Sequence, residues 1–476
     1  MLTIGIDARS KTPLYEQIYK YIRDEIQSGN MQCGMKLPSS RKLAQHLDVS
    51  RNTVDLAYGQ LLSEGYIESK PKKGYYVCVV DEILEFSNEI LEIEEKSECK
   101  KQYPYDFSIA GVDMEHFPYN TWRKLMREML MDDNSQLFQI GDSNGDLELR
   151  EAIRAYLHQS RGVNCKANQI ILGSGTEYLL ILLSQIFGEE KTIAMENPTY
   201  LQVKKVFDQL KFPVEAIMVD EHGIQIEQLK NSKAQVAYVT PSHQYPTGIV
   251  MPIKRRNALL NWAMEQEGRY IIEDDYDSEF RYQGRPIPSL QGNDRGGKVI
   301  YLGTFSKAIA PAIRVSYMVL PMPLLKEYQE RLSFYSCTVS RIDQAVLTAF
   351  LKEGHFERHL NRMRAVYRGK YQCLMQQLKT FGDQVEISGY GEGLHILIEF
   401  KEIADHKAFR KELDCHGVRL IPVSDYYIEK RPEKEKYILG FARLRTEQIK
   451  EGILLIQEIY DKIRQQERKK SNVRKR

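Results

Sequence analysis

The sequence predicts an α/β protein with a mainly parallel sheet, preceded by a small N-terminal module of helices and a hairpin. From about residue 104, helical and strand-like stretches alternate, which is the pattern of a parallel sheet. Before residue 80, short amphipathic helices are followed by two strand-like segments around a basic tip. The length of 476 residues allows a large core in the second part and a separate small domain in the first.

Composition bounds the classes of protein to which the chain can belong. A net charge of +2 is too small for the chain to bind nucleic acid through its overall charge. Any such binding would have to depend on a local basic region. The 7 cysteines are odd in number and never in CxxC spacing, which predicts a cytoplasmic protein with no disulfide framework and no metal site. An uncharged apolar run of about 18 residues is missing from the sequence, so no membrane partner is expected.

The N-terminal module reads as a winged helix-turn-helix. Residues 13–28 form a first helix with apolar residues at four-residue steps, and Ser39 is placed to cap a second helix. Ser50 is placed to cap a third, whose apolar stripe comprises Val54, Ala57, Tyr58, Leu61 and Leu62. Two short strands then flank the tip KPKKG. In such modules the start of the third helix enters the major groove of DNA, and here Arg51, Asn52 and Thr53 stand at that start.

This module resembles the DNA-binding domain of the GntR family of bacterial repressors. The resemblance lies in PLYEQIYKYIRDEIQSG, LPSSRKLAQHLDVSRNTV and LLSEGYIESKPKKGYYV. It implies operator DNA as a partner, contacted by Arg41, Ser50, Arg51, Asn52, Thr53, Lys72, Lys73 and Gly74. Asp55 stands near a position where many members carry a further arginine, so base recognition is expected to differ. A helical domain with a solvated lysine loop is the alternative.

Charge marks the domain boundaries. Residues 81–102 carry eight acidic and three basic residues, which predicts a linker over 81–103, either a helical spacer or a flexible tether. The DNA-binding domain then spans 1–80 and the large domain 104–465, followed by a basic tail at 466–476. From Asp461 onward there are eight basic and two acidic residues, and this end is expected to be disordered and solvated, or else an auxiliary DNA contact.

The large domain is organised around Lys307 in the stretch YLGTFSK. A strand-like run ends in a small-residue turn that presents this lysine beside Thr304 and Ser306, and Arg314 follows seven residues later. An amine in this setting can form a Schiff base (an aldimine) with pyridoxal phosphate, while hydroxyls and a guanidinium hold its dianionic phosphate. A solvated surface lysine is the alternative for this position taken alone.

Two earlier turns provide further candidates for the same site. The stretch ILGSGTEYLL reads as a strand, a turn and a helix, and the backbone amides of Ser174, Gly175 and Thr176 can bind a phosphate there. Tyr200 follows another strand, where an aromatic ring can stack on a pyridine or simply pack.

Two later segments complete the candidate set. In TPSHQYPTG, His243 and Gln244 can reach a ring substituent or merely cap their own loop. The run RYIIEDDYD ends in carboxylates, and Asp274 is predicted to face the ring nitrogen, with Tyr276 on the ring hydroxyl. Asp275 is the alternative if the strand register differs by one.

The order of these segments resembles that of the fold type I aminotransferases, from about residue 105 to 465. The resemblance implies that Asp274 pairs with the ring nitrogen, Lys307 carries the cofactor and Arg314 binds its phosphate. It also implies that Arg443, with Arg445 ranked second, receives a substrate or effector carboxylate.

A GntR head joined to such a domain resembles the MocR/GabR subfamily of transcriptional regulators. Members are head-to-tail homodimers that use the cofactor to sense an effector and have little turnover. Two departures stand out: Gln202 replaces an arginine of the GABA-responsive members, which argues against GABA, and Ile140 replaces a tyrosine that reaches the partner's phosphate. The sequence therefore predicts a regulator that senses an amine, an amino acid or pyridoxal phosphate itself. The alternative is an active aminotransferase with an attached head; a degenerate domain that only dimerises the heads conflicts with the intact lysine, aspartate and arginine.

Overall fold

The structure, a computed structural model, describes residues 4–7, 10, 12–79, 102–109, 111–131, 135–188, 191–282, 287–389, 391, 393–429, 432 and 434–474. The chain divides into two compact units, Met1–Lys100 and Lys101–Arg476. Nearly all of the predicted linker at 81–103 lies outside the described residues. Among the helices that are described, none is both long enough and apolar enough to cross a membrane.

The first unit is a three-helix module with a hairpin, as predicted. Its elements are α1 (Leu14–Gln27), α2 (Ser40–Leu47), α3 (Arg51–Ser63), β1 (Ile67–Lys70) and β2 (Gly74–Val77). Both predicted caps form: Ser39 Oγ accepts from Lys42 N at 3.3 Å, and Ser50 Oγ accepts from Thr53 N at 3.1 Å. The strands pair antiparallel, and the core is formed by Ile18, Ile22, Leu43, Val54, Ala57, Tyr58, Leu61, Ile67 and Val77.

The second unit begins with alternating helices and strands. They are β3 (Tyr105–Asp106), α4 (Tyr119–Met131), α5 (Leu147–Arg161), β4 (Ile170–Gly173), α6 (Thr176–Phe187), β5 (Ile193–Asn197), α7 (Leu201–Gln209), β6 (Val214–Asp220), β7 (Gly223–Ile224), α8 (Ile226–Asn231), β8 (Val236–Val239), α9 (Ile253–Met264), β9 (Tyr270–Asp275), β10 (Val299–Thr304) and β11 (Ser316–Val319). The remaining elements are α10 (Met322–Arg331), α11 (Arg341–Lys352), α12 (His355–Leu378), β12 (Val385–Ser388), β13 (His395–Phe400), α13 (His406–Cys415), β14 (Val418–Arg419), β15 (Ile421–Pro422), β16 (Lys436–Gly440) and α14 (Thr446–Arg474).

A mostly parallel sheet forms the centre of this unit and confirms the predicted α/β class. Among the described residues it has eight strands in the order β4-β11-β10-β9-β8-β5-β6-β7. The neighbours from β10 through β6 are all parallel, and only β11 and β7 run against the rest. Strands β5, β8 and β11 are buried along their whole length, and β9 and β10 are buried at all but one residue each. Their carboxyl ends meet at one edge of the sheet, where ligands of open α/β sheets bind.

A second, antiparallel sheet with the order β12-β13-β16-β15 follows in the chain. Between the two sheets in sequence, α12 spans 24 residues, and it contacts α14. A separate pairing joins β3 to β14 in parallel, with Tyr105 opposite Val418 and Asp106 opposite Arg419. This pairing brings the start of the unit beside a segment more than 300 residues later in the chain.

The prediction of a disordered C-terminal end is wrong, because α14 continues to Arg474. Ile463 is buried, so the helix still packs on the unit beyond Asp461. Its charged side chains also have partners: Arg468 pairs with Glu402, and Lys462 with Glu412 at 2.6 Å. Lys462, Arg468 and Lys469 therefore lie on the exposed side of a packed amphipathic helix, which composition alone does not distinguish from a solvated tail.

Candidate functional site

A cavity of about 780 Å³ opens at the carboxyl ends of β8, β9 and β10. It brings together many of the residues predicted from widely separated segments. Those that line it are Gly175, Thr176, Tyr200, Asp274, Tyr276, Thr304, Ser306, Lys307 and Arg314.

Lys307 follows β10 and reaches into the cavity. Its Nζ donates a hydrogen bond to the backbone oxygen of Ile109 at 2.8 Å. Burial lowers the pKa of Lys307, and the charge of Asp277 opposes that shift. Because a lowered pKa increases the fraction of free amine, this lysine is suited to attack a carbonyl carbon.

The pleat of β9 distinguishes the two candidate carboxylates. Asp274 lines the cavity and accepts a hydrogen bond from the hydroxyl of Tyr238. Asp275 is instead bound by other groups, accepting from Arg161 Nε at 2.7 Å and from Tyr301 Oη at 2.5 Å. Since successive side chains of a strand point to opposite faces, only Asp274 is available to a ligand in the cavity.

At neutral pH the carboxyl of Asp274 is only partly protonated. Burial raises its pKa to about 7, although the hydrogen bond from Tyr238 lowers it. A buried carboxyl with this pKa can share its proton with a basic nitrogen placed opposite.

An anion cradle lies at the amino end of α6. Gly175 precedes that helix with φ 107°, a backbone conformation that favours glycine. Arg314, with φ 52°, extends beside it and donates to Glu177 Oε2 at 3.0 Å. A Cβ atom at position 175 would lie 2.1 Å from Arg314 Nη2, so the glycine is what allows this close approach. Backbone amides and a guanidinium at a helix start form a site for a phosphate.

The hydroxyl groups near Lys307 complete the cradle. Thr304 Oγ1 accepts from Ser306 N at 3.1 Å and from Ser316 Oγ at 3.0 Å. Ser306 Oγ is buried and has no hydrogen-bond partner among the residues that the structure describes. A buried hydroxyl without a partner costs free energy, and a bound phosphate oxygen would supply that partner.

Gly175→Ala is expected to weaken phosphate-cofactor binding at least about tenfold, because the methyl group displaces Arg314 and the backbone becomes strained. Fluorescence titration of the cofactor-free protein with pyridoxal phosphate measures this affinity. Gly369→Ala is the matched control, since a Cβ atom at Gly369 in α12 meets nothing within 4 Å. Equal affinities for the Gly175 variant and this control would contradict the cradle.

Three of the predicted cofactor-binding residues do not line the cavity. His243 is buried, with Nδ1 2.9 Å from Asp277 Oδ2 and 3.0 Å from Tyr276 Oη. Gln244 Nε2 donates to the backbone oxygens of Pro198 and Tyr245, each at 2.8 Å. Gln244 therefore caps its own loop, which was the alternative for this residue. His243 contacts Tyr276 and does not line the cavity.

The third is Ser174, whose backbone nitrogen donates to Thr338 Oγ1 at 3.0 Å. That hydrogen bond uses the amide that the sequence assigned to phosphate, which leaves the cavity-lining Gly175 and Thr176 as the candidates from this turn.

Several lining residues were missed by reasoning from the sequence. The hydroxyl of Tyr238 donates the hydrogen bond to Asp274. Tyr238 lies within the buried strand β8, and the residues around it form no recognisable motif. Tyr245 meets Tyr200 with ring centroids 5.1 Å apart and Tyr426 with centroids 5.4 Å apart. The other missed residues include Ser108, Ile109, Thr240, Ser316 and Arg419.

The predicted carboxylate-binding arginine lies away from the cavity lining. Arg443 is half exposed, and its Nη1 donates to Asp106 Oδ2 at 3.0 Å. Arg419 does line the cavity, and its Nη1 lies 3.7 Å from the same carboxylate oxygen. Arg445 pairs with Glu115 at 3.7 Å. One buried carboxylate is thus shared by two guanidinium groups, which leaves a net positive charge for an anionic ligand.

Three buried side chains, His243, Asp277 and His395, bring one potential metal-ligand atom each to within 4.8 Å of one another. His395 Nε2 donates to the backbone oxygen of Pro246 at 2.8 Å, and burial lowers its pKa to about 3. Two arginines, Arg161 and Arg281, line the pocket beside His243 and Asp277, which disfavours a cation there. The absence of a metal site stays a prediction.

In the first unit, the predicted DNA-contacting side chains are at the surface. The side chains of Arg41, Arg51 and Asn52 are exposed. At the hairpin tip, Lys72 and Lys73 are exposed too. Arg51 Nε lies 3.3 Å from Asp55 Oδ2, one turn further along α3.

Each of the two units matches a known protein family. Residues 14–77 match the family described as bacterial regulatory proteins, gntR family, and residues 110–453 match aminotransferase class I and II. The HTH-type transcriptional regulator YdeL of Bacillus subtilis (strain 168) is 42% identical, over 93% of this chain and 95% of its own. The probable rhizopine catabolism regulatory protein MocR of Rhizobium meliloti is 30% identical, over 94% of both. The chain belongs to the MocR-type regulators of the GntR family.

The larger unit of this MocR-type regulator also resembles a solved enzyme. A kynurenine aminotransferase of Pyrococcus horikoshii, solved with PMP, superimposes with a TM-score of 0.67 at 26% identity. The match covers 76% of this chain and 92% of the enzyme. The aminotransferase class to which this unit belongs implies pyridoxal phosphate. The unpartnered hydroxyl of Ser306, the Gly175 cradle and the half-buried Lys307 fit that cofactor.

Proposed function

We propose that this MocR-type regulator carries pyridoxal phosphate on Lys307 and senses an amine, an amino acid or the cofactor itself. The response would be reported by its winged helix to operator DNA. One observation carries the proposal: a single cavity collects a half-buried lysine, a carboxyl whose pKa is raised to about 7 and an anion cradle. These are the three groups that an amine-sensing aldehyde cofactor requires.

Each residue of the cavity has a defined task. When bound, the cofactor supplies a reactive carbonyl carbon and an electron-withdrawing ring. Lys307 would provide the amine that is exchanged for that of the effector. The carboxyl of Asp274 would face the ring nitrogen and could share a proton with it, because burial raises its pKa to about 7. Gly175 and Arg314 would orient the phosphate.

The effector's own carboxylate would be received at the edge of the cavity by the arginines around Asp106. Arg443 is the residue that the family resemblance favours, and Arg419 is the one that lines the cavity. At the position where GABA-responsive members carry an arginine, this chain has Gln202, whose side chain also lines the cavity. An amide cannot replace the charge of a guanidinium, so we propose an effector other than GABA.

The protein is further proposed to act as a head-to-tail homodimer in the cytoplasm. Large apolar side chains stand exposed on the second unit, with Ile140 at 88%, Phe334 at 75% and Phe138 at 72%. A contiguous apolar patch is typical of a surface covered by a partner, and we propose that these side chains belong to such a patch. Sedimentation of the full chain should therefore show a dimer, and a monomer at micromolar concentration would contradict this part of the proposal.

Effector binding is expected to change operator affinity about 5- to 150-fold, the usual range of coupling between two sites. An effector shifts a two-state protein only by its differential affinity for the two states. The test titrates amines and amino acids into the full chain with its own upstream DNA, following the visible spectrum and DNA binding together. Spectral changes without any change in DNA affinity would contradict the sensing role.

The second candidate is an active aminotransferase with a DNA-binding head. It is favoured by the presence of Lys307, Asp274 and Arg314 in one cavity and by the likeness to the kynurenine aminotransferase. A steady-state assay with a panel of amino donors and 2-oxo acids decides between the two. We expect fewer than a few turnovers, and sustained multiple turnover would favour the enzyme.

A further inference from the structure

One large apolar side chain on the proposed DNA-reading helix faces solvent. Leu56 lies in the middle of α3 and is 60% exposed. The opposite face of the same helix is fully buried through Val54, Ala57, Tyr58 and Leu61. Leu56 therefore takes no part in the core, although the core residue Ala57 follows it directly and Val54 lies two residues before it.

The position of Leu56 on the helix relates it to the polar residues at the helix start. Asn52 is one turn earlier and also exposed, so the two side chains share one face, with Cβ atoms about 5–6 Å apart. On the next turn of that face stands Gly59, where a Cβ atom would meet nothing within 4 Å. The face thus combines an amide, a branched hydrocarbon and an open backbone.

A second pair of residues, Arg51 and Asp55, lies beside this face of α3. Arg51 and Asp55 are also one turn apart, and their 3.3 Å ion pair holds the guanidinium along the helix. The negative charge of Asp55 is therefore partly offset by Arg51. In the middle turn of α3, Leu56 is then the exposed side chain that remains available to contact a base.

We propose that Leu56 recognises the methyl group of a thymine in the operator, within one base pair of an adenine bound by Asn52. In the major groove, thymine presents its C5-methyl group, whereas adenine presents the N7 and N6 pattern that suits an asparagine. Base pairs follow one another every 3.4 Å along a strand, so residues one helical turn apart reach the same or neighbouring pairs. The inference rests on the proposed function of the first unit in DNA binding.

The chemistry of Leu56 selects this ligand. Its side chain has no hydrogen-bonding group, so among the major-groove edges only the thymine methyl offers it a favourable contact. Removing a methyl from water is worth about a fourfold change in affinity. A leucine at this position thus converts exposed apolar surface into base discrimination.

The test uses thymine-to-deoxyuridine exchange, which removes only the methyl group. The full chain first selects its preferred site from a random duplex library, and the selected duplex is then made with deoxyuridine at each thymine in turn. At one thymine per half-site we expect the exchange to lower the affinity of the unaltered chain about fourfold. Leu56→Ala should bind the two duplexes equally, and Leu56→Met should retain most of the difference.

Leu62→Ala provides the matched control. Leu62 is also an exposed leucine of α3, at 40%, but it lies near the end of the helix and away from its base-facing start. This variant should keep the fourfold difference. The inference is overturned if no exchange weakens the unaltered chain, or if Leu56→Ala discriminates as that chain does. Failure of the full chain to select any sequence would instead overturn the proposed function as well.

Discussion

Lys307→Ala should lose the yellow colour and visible absorbance band that a Schiff base between the protein and a pyridoxal cofactor gives. The expected loss is complete, because no other amine among the lining residues is buried near Asp274; the second lining lysine, Lys205, is exposed. The same variant should bind operator DNA but no longer respond to the effector. Absorbance spectra of the purified protein, before and after addition of pyridoxal phosphate, measure the first effect.

Two control variants separate the chemistry of Lys307 from its charge. Lys307→Arg keeps a cation but cannot form a Schiff base, so it should be as colourless as the alanine variant. Lys326→Ala changes an exposed lysine of α10 and should keep full colour. If Lys307→Ala kept the absorbance band of a protein Schiff base, the cofactor would be attached to another residue, and the cavity would then lose its proposed role.

Arg51→Ala should weaken binding of the full chain to its operator by about 10- to 100-fold and reduce the salt slope by about one. Arg51 is the first residue of α3, where base edges and phosphates are within reach of a recognition helix. Its only ion pair in the described part of the chain is with Asp55, so the substitution removes no core contact. Titrations at several salt concentrations give both quantities.

The control for Arg51 is Lys20→Ala, which removes an exposed cation of α1 that pairs with Glu16. It should leave operator affinity and salt slope within about twofold of the unaltered chain. If Arg51→Ala behaves like Lys20→Ala, the start of α3 does not contact DNA, whatever the second unit binds.

Much of the fold could be predicted because its signals are local. The serine caps of α2 and α3 bond to amides three residues on, and the buried stripe of α3 repeats with the helical period. The alternation of strands and helices along the sequence likewise predicts the parallel sheet. The C-terminal end was predicted incorrectly, because the burial of Ile463 depends on a surface distant in the chain.

The residues of the cavity likewise divide into those that local sequence predicts and those that depend on distant segments. Lys307, Thr304 and Arg314 stand close in sequence around β10 and β11, so their grouping could be predicted from the motif. Tyr238 could not be found in this way, because a tyrosine in a buried strand is usually a packing residue. Arg419 enters the cavity wall through the pairing of β14 with β3, and no local pattern records that pairing.

The amino-acid sequence by itself determined the class of each unit, the lysine around which the cavity is built and the helix proposed to read DNA. These follow from chemistry within a few neighbouring residues, where caps, turns and periodic burial act. Only the tertiary structure decided that Asp274, and not Asp275, lines the cavity. It also showed that His243 and Gln244 bind other groups outside the lining, and that Arg419 lies beside Asp106. The direction of a side chain depends on the pleat of its strand and on partners brought from distant segments, and both are fixed only when the whole sheet is assembled.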